Sequence, residues 1–318
     1  MTEPQTRIGD AATRLVLRHR PEARPLAEWG SIAVELLGTQ TRFVQGERWR
    51  HRVIEAGGEG EPLILIHGIG GHAETYARNL RNLASHGFHV YAIDALYHGY
   101  SDKTPYDDDE RYDLQVEALA DLIRALGYEW AHVEGESMGA SIACHFGFKY
   151  PDMAGKLILN TGFGHVKLNK TDFIQPTSGL DELARLSVKA IVAPDLETMR
   201  RRMQWLVASP DRMTEEMVEL RLRLYADPEV NASMRNVYRI GREWTWRDFY
   251  SEADLADFKP ETLVFWTDGN PWEGPDYGEY VASRIPGAKF YLMEDAGHWP
   301  QWEKPEEHDQ VVIEFLTS

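Results

Sequence analysis

One cysteine in 318 residues, Cys144, leaves no partner for an internal disulfide. No uninterrupted apolar stretch approaches the ~20 residues that a membrane span requires. The N-terminus, Met1 to Asp10, is polar and lacks a basic-then-apolar leader, so a cytoplasmic setting is expected. Positive charge is short as well: 34 Lys and Arg stand against 51 Asp and Glu, a formal net charge of −17. That balance argues against nucleic acid or an anionic membrane surface as partner, although a local arginine can still hold an anionic small molecule. Metal-binding patterns are missing too. There is no C-x-x-C and no H-E-x-x-H, and the 12 histidines are scattered, so no metal is expected.

What is present is ample apolar content, 43%, enough for one large α/β domain with an insertion or for two small domains. The most informative stretch is Gly135-Glu136-Ser137-Met138-Gly139. It follows the apolar run Trp130–Glu134 and precedes the helix-like Ala140–Phe146. Glycines at both ends permit a tight turn and close strand–helix packing, which lifts the Ser137 hydroxyl above a sheet. Cys144, in the helix that follows, reads as a small buried residue rather than a reactive thiol.

Residues 1–40 form an extension rich in arginine and proline, with short helices expected at Ala11–Leu17 and Ile32–Leu37. A surface arm or a homodimer contact is its expected role. Between Thr41 and Glu55 the alternation predicts a hairpin turning at Gln45-Gly46-Glu47. Pro62–Ile66 is continuously apolar, the mark of a strand buried on both faces. It runs into His67-Gly68-Ile69-Gly70-Gly71, where glycines let backbone N–H groups approach a ligand. Beside Ser137, the N–H groups of Ile69 and Met138 are candidates for an oxyanion hole.

A helix at Tyr76–Ser85, a strand at Phe88–Ile93 and a helix at Tyr112–Leu126 then lead to the serine strand. This alternation implies a mostly parallel sheet with helices on both faces, its reactive groups at the C-terminal strand ends. His67, Asp94 and Ser137 all fall there; Asp94 and His98 read as structural turn residues. After the strand Lys156–Asn160 the alternation stops. Helical segments fill residues 164–258, near 180–190, 195–208, 214–226 and 231–239, until strands resume at Thr262–Trp266 and Ala288–Met293. This block reads as a helical cap inserted into a core of residues 41–163 and 259–318. Trp205, Tyr238, Trp244 and Trp246 are candidates for its apolar lining. His298, in a glycine-containing loop past the last strand and before a helix at Pro305–Leu316, is the expected general base.

The order Ser137, a strand-end residue near 270, then His298 matches the α/β-hydrolase fold over roughly residues 41–316. Within that superfamily the chain resembles the meta-cleavage product hydrolases, which cleave a carbon–carbon bond without a cofactor. Gly297–Glu303 is similar to that family's segment around the catalytic histidine, which brings Trp299 to the substrate site. Thr214–Arg221 resembles the cap segment whose arginine binds a substrate carboxylate, and Gly68 and Gly70 fall in its glycine loop. The elbow matches too, except that the family often has asparagine where this chain has Glu136. Met213, Met217, Leu220 and Leu224 form one helix face; Arg221 and Arg223 flank it, and the resemblance chooses Arg221. Arginines such as those of Arg200-Arg201-Arg202 read as solvated.

The third triad member stays open. Position favours Asn270 and chemistry favours Asp268, because an asparagine fixes the imidazole but does not balance its charge. The expected activity is hydrolysis of a 2-hydroxy-6-oxo-dienoate, a small carboxylate-bearing substrate. The same machinery acting on an ester, lactone or amide is the alternative, and a non-catalytic ligand-binding relative is a third.

Overall fold

The computed structural model describes residues 12–22, 24–25, 28–170, 178–243, 247–271 and 273–318. The strands are β1 (Thr13–Arg14), β2 (Gln40–Gln45), β3 (Arg50–Ala56), β4 (Glu61–Ile66), β5 (Phe88–Ile93), β6 (Ala131–Glu136), β7 (Ala154–Asn160), β8 (Val166–Lys167), β9 (Tyr250–Ser251), β10 (Thr262–Thr267) and β11 (Lys289–Met293). Nine of them form one sheet in the order β1-β11-β10-β7-β6-β4-β5-β3-β2, and β8 pairs with β9 apart from it. The expected hairpin of β2 and β3 is antiparallel, as is β3 against β5; every other pairing is parallel.

The helices are α1 (Ile32–Glu35), α2 (Leu80–Ser85), α3 (Arg111–Ala125), α4 (Met138–Lys149), α5 (Ser178–Val192), α6 (Leu196–Gln204), α7 (Glu215–Ala226), α8 (Pro228–Val237), α9 (Pro275–Arg284), α10 (Pro300–Glu303) and α11 (Pro305–Leu316). β4 shows why both sheet faces need cover. Its side chains alternate, Ile64 and Ile66 joining α3 and α4 on one side while Leu63 and Leu65 join α2 and α11 on the other. A third cluster holds α6, α7 and α8 against the strand C-termini through Met199, Met203, Met217, Trp299 and Trp302. Each such side chain, fully buried, contributes ~1.5–3 kcal/mol.

Two local expectations are corrected. Residues 13–14, expected as helix, pair parallel with β11, and Leu15 N–H extends the ladder to the Phe290 carbonyl. The open edge of β11 offers unpaired backbone groups, and Leu15 and Leu17 pack on the apolar cluster below; both outweigh a weak helix preference. The helix expected to start at Tyr76 is instead a 3-10 turn, Ala73–Tyr76, followed by α2. No described helix is long and apolar enough to cross a membrane.

Candidate active site

Ser137 sits between β6 and α4 with φ 54° and ψ −111°, a left-handed conformation that a serine holds only when its surroundings enforce it. The enforcement is steric. A Cβ on Gly135 would collide with the Gly139 backbone, and one on Gly139 would collide with the Ile66 carbonyl. The half-buried serine therefore projects at the start of a helix, with Met138 as that helix's first residue.

The glycine loop after β4 is fixed from two sides. Gly68 N–H donates to Glu136 Oε2 at 2.6 Å. From the helical layer, the Tyr238 hydroxyl donates to the Ile69 carbonyl (3.2 Å) and the Tyr225 hydroxyl to the Gly70 carbonyl (3.4 Å). Gly70 has φ +71°, and a Cβ there would strike both tyrosine hydroxyls. The neighbouring strand-end residues serve the same loops. Asp94 accepts N–H bonds from Ala73 and Tyr100, both at 2.8 Å, and faces the Arg52 guanidinium. His67 accepts from Ala95 N–H (3.1 Å), and burial pushes it well below its ordinary range; burial likewise takes His98 down to about 4.

His298 lies in the loop between β11 and α10, 2% exposed. Its N–H donates to the Leu206 carbonyl (2.7 Å) and its carbonyl accepts from the Thr161 hydroxyl (2.9 Å). Glu303 braces the preceding residue by accepting from Gly297 N–H (2.7 Å) and Ala208 N–H (2.9 Å). Of the two candidates for the third residue, Asn270 is the one beside the ring. His298 Nδ1 is 2.9 Å from Asn270 Oδ1, and Asn270 Nδ2 donates to the Glu273 carbonyl at 3.0 Å. Because that amide's nitrogen is committed to a carbonyl, its oxygen faces the ring, and Nδ1 must carry the hydrogen. Asp268 is elsewhere: its carboxylate accepts from Ala296 N–H at 3.3 Å.

The opposite nitrogen departs from the sequence-based expectation. His298 Nε2 faces Glu136 Oε1 at 3.1 Å. The sequence marked Glu136 only as a departure from a family pattern.

A cavity of ≈ 30 Å³ is lined by Gly68, Ile69, Glu136, Ser137, His298 and Trp299 from the sheet side and by Leu183, Arg202 and Leu206 from the helical layer. Arg202 corrects its reading as a solvated residue, being 2% exposed. Its helical neighbours gave the signal, since Met199, Arg202, Met203 and Leu206 recur on one face. Arg202 Nη2 donates to the Tyr238 hydroxyl (3.1 Å), while Nε and Nη1 lack a partner among the described residues. Arg221 is 1% exposed, lies 5.7 Å from the Trp299 ring centroid, and has Nε and Nη2 similarly unmatched. Burial, with the nearby Arg202 charge, pushes the Arg221 guanidinium below its ordinary value. Of the expected aromatic lining, Trp205 and Tyr238 pack around the helical-layer cluster, and Trp244 and Trp246 lie outside the described residues. Cys144 is buried, its thiol pushed above its ordinary range. No group of three or more His, Cys, Asp or Glu among the described residues is placed to hold a metal.

The model of the α/β-hydrolase fold family matches residues 61–305. The chain belongs to that family. This hydrolase is 30% identical over 266 residues to a 2-hydroxy-6-oxo-6-phenylhexa-2,4-dienoate hydrolase of Comamonas testosteroni, covering 82% of this chain and 89% of the relative. It is 27% identical over the same length and coverage to a 2-hydroxy-6-oxononadienedioate/2-hydroxy-6-oxononatrienedioate hydrolase of that organism. The hydrolase thus resembles enzymes of the C–C hydrolase group. Among solved structures it is similar to the 2-hydroxy-6-oxo-6-phenylhexa-2,4-dienoate hydrolase of Rhodococcus sp. strain RHA1, with a TM-score of 0.71, 22% identity, and coverage of 88% of this chain and 100% of that one. It is also similar to a carboxylesterase of Bacillus subtilis, with a TM-score of 0.69, 16% identity and coverage of 90% and 95%. At such identities the likeness concerns the fold, which does not select a reaction.

Proposed function

We propose that this hydrolase cleaves a carbon–carbon bond in a carboxylate-bearing 2-hydroxy-6-oxo-dienoate, using Ser137 as nucleophile and His298 as base. Ser137 attacks the distal ketone, and the N–H groups of Ile69 and Met138 receive the negative charge that develops on its oxygen. Asn270 orients the ring through Nδ1, and no cofactor is needed. The observation that carries the substrate class is Arg202. Its guanidinium reaches the cavity that holds Ser137 and His298, fully buried and with two N–H-bearing atoms unmatched. Buried N–H groups left unmatched are costly, and an anionic ligand would complete them. Arg221, on the next helix of the layer, adds a second donor to the same end of the molecule and supports the reading of the relatives' names.

The cavity has room for a water or two, so a dienoate would bind with the site more open than it is here. Esters and lactones are the second reading, favoured by the same Ser137 and by the carboxylesterase likeness. A two-substrate assay separates them. Purified protein is offered a yellow ring-fission dienol, followed by its loss of absorbance, and in parallel a nitrophenyl ester. Dienol consumption that disappears in Ser137→Ala is the expected result. Efficient ester turnover with an untouched dienol overturns the C–C assignment.

A further inference from the structure

The acid position holds an amide, yet a carboxylate does touch the catalytic ring, on its other side. We propose that Glu136 is the charge partner of His298, supplying at Nε2 what an aspartate would otherwise supply at Nδ1. The proposal rests on the serine-hydrolase reading above and deepens it.

The argument is one of proton counting. Asn270 Oδ1 accepts from Nδ1–H, so in the neutral ring Nε2 is a bare acceptor. Glu136 Oε1 at 3.1 Å is an acceptor as well when ionised, and its second oxygen is occupied by Gly68 N–H. Two acceptors in contact repel unless a proton lies between them. The Nε2–Oε1 contact is a hydrogen bond only when one proton lies in it, on the ring or on the carboxyl. With that proton absent, Nε2 can take the proton of Ser137. The Oγ–H bond breaks as the Oγ–C bond forms, the carbonyl electron pair moves to its oxygen, and the imidazolium produced stands directly against the Glu136 carboxylate. Asn270 alone leaves that imidazolium unbalanced.

Other charged or titratable groups face this contact. Arg202 reaches it from α6, and its guanidinium interacts with Glu136. Tyr76, whose hydroxyl bonds the Ile66 carbonyl, is pushed up by burial and by Glu134 and Glu136. Glu303 braces Gly297 from α10. None of the three places a carboxylate on the His298 ring nitrogens, where Glu136 does.

The test measures Ser137 labelling by a fluorophosphonate as a function of pH, which needs no knowledge of the substrate. Four proteins are compared, wild type, Glu136→Gln, Asn270→Asp and the double variant, with Ser137→Ala as blank. Glutamine keeps the shape of Glu136 and can still accept from Gly68 N–H. The single Glu136→Gln variant is expected to label at least ~10²-fold more slowly, within the ~10⁴-fold scale of a lost triad charge. Adding Asn270→Asp to it should recover at least tenfold, because the charge returns to the ring by the other nitrogen. Asn270→Asp alone should move the half-point of the rate profile to higher pH, since two carboxylates then retain the ring proton. An unchanged rate and profile in Glu136→Gln, or no recovery in the double variant, overturns the proposal. Should Glu136→Gln fail to fold by circular dichroism, Asn270→Asp decides alone, and an unshifted or lowered half-point overturns it. Labelling that survives in Ser137→Ala would instead sink the serine reading itself.

Discussion

Two histidines meet carboxylates carried two residues apart on β6, and one of them, His298, lines the cavity that holds Ser137. Glu134 and Glu136 point to the same side of the strand, as residues i and i+2 must. His308 Nε2 is 2.8 Å from Glu134 Oε1, and its Nδ1 is 3.0 Å from Asp309 Oδ1. Asp309 is further held by Asn79 (2.8 Å) and Asn82 (2.9 Å), and burial pushes its carboxyl up, which leaves Glu134 as the stronger charge partner. Although burial opposes it, the two carboxylates raise His308 to about 9. That value favours the imidazolium at neutral pH, and His308 is fully buried with a carboxylate at each nitrogen. His298 meets a carboxylate at Nε2 and an amide at Nδ1, and it lines a cavity together with Ser137. On the proposal above, the same ring is a structural tie where both nitrogens meet carboxylates, and a proton-handling base where one meets an amide.

Breaking the inert pair should cost stability and spare chemistry. Glu134→Ala strands a buried imidazolium and should lower the unfolding free energy by about 3–5 kcal/mol, read by denaturant melts. The fraction that remains folded should keep its Ser137 labelling rate within about threefold, against the ≥ ~10²-fold slowing expected of Glu136→Gln. Equal damage to labelling from both variants would dissolve the distinction.

The same pair predicts a pH signature. His308 has a higher value folded, about 9, than unfolded, ~6.5. Its contribution is therefore complete below pH 6.5 and is lost as pH rises through 9, amounting to at most about 3 kcal/mol. Thermal midpoints recorded from pH 6 to 9.5 should fall across that window, and Glu134→Gln should flatten the fall. A slope that persists in the variant would assign it to other groups.

Much of this was legible in the sequence, for reasons that differ by region. The strands around Ser137 were readable because continuous apolar runs such as Leu63–Ile66 leave little alternative to a buried parallel strand. The elbow, the glycine loop and His298 were readable because each is a short local motif. β1 was not, since a two-residue edge strand is created by the partner's open edge and not by its own pattern. Glu136 and Arg202 were hidden for a related reason. A residue's partners across the fold, or the lack of them, are tertiary facts. The run Arg200-Arg201-Arg202 looks uniform in sequence, and only the helix face separates its members.

That run supplies the mildest test, and a sharp one. Arg200 lies at the surface with Glu197 and Glu215 at 2.6 Å, while Arg202, two residues on, is buried with unmatched nitrogens. Arg202→Met keeps the bulk and removes the charge. It should raise KM for a carboxylate-bearing substrate about 10–100-fold, the scale of a charged hydrogen bond of ~1.5–3 kcal/mol. Its thermal midpoint should rise, since a buried cation with two unmatched nitrogens is exchanged for an apolar side chain. Arg200→Ala should leave KM and the midpoint where they are, because exposed ion pairs are screened and contribute little. A stabilised Arg202→Met enzyme with unchanged KM would show that this guanidinium, though unmatched, is not where the substrate's charge is bound.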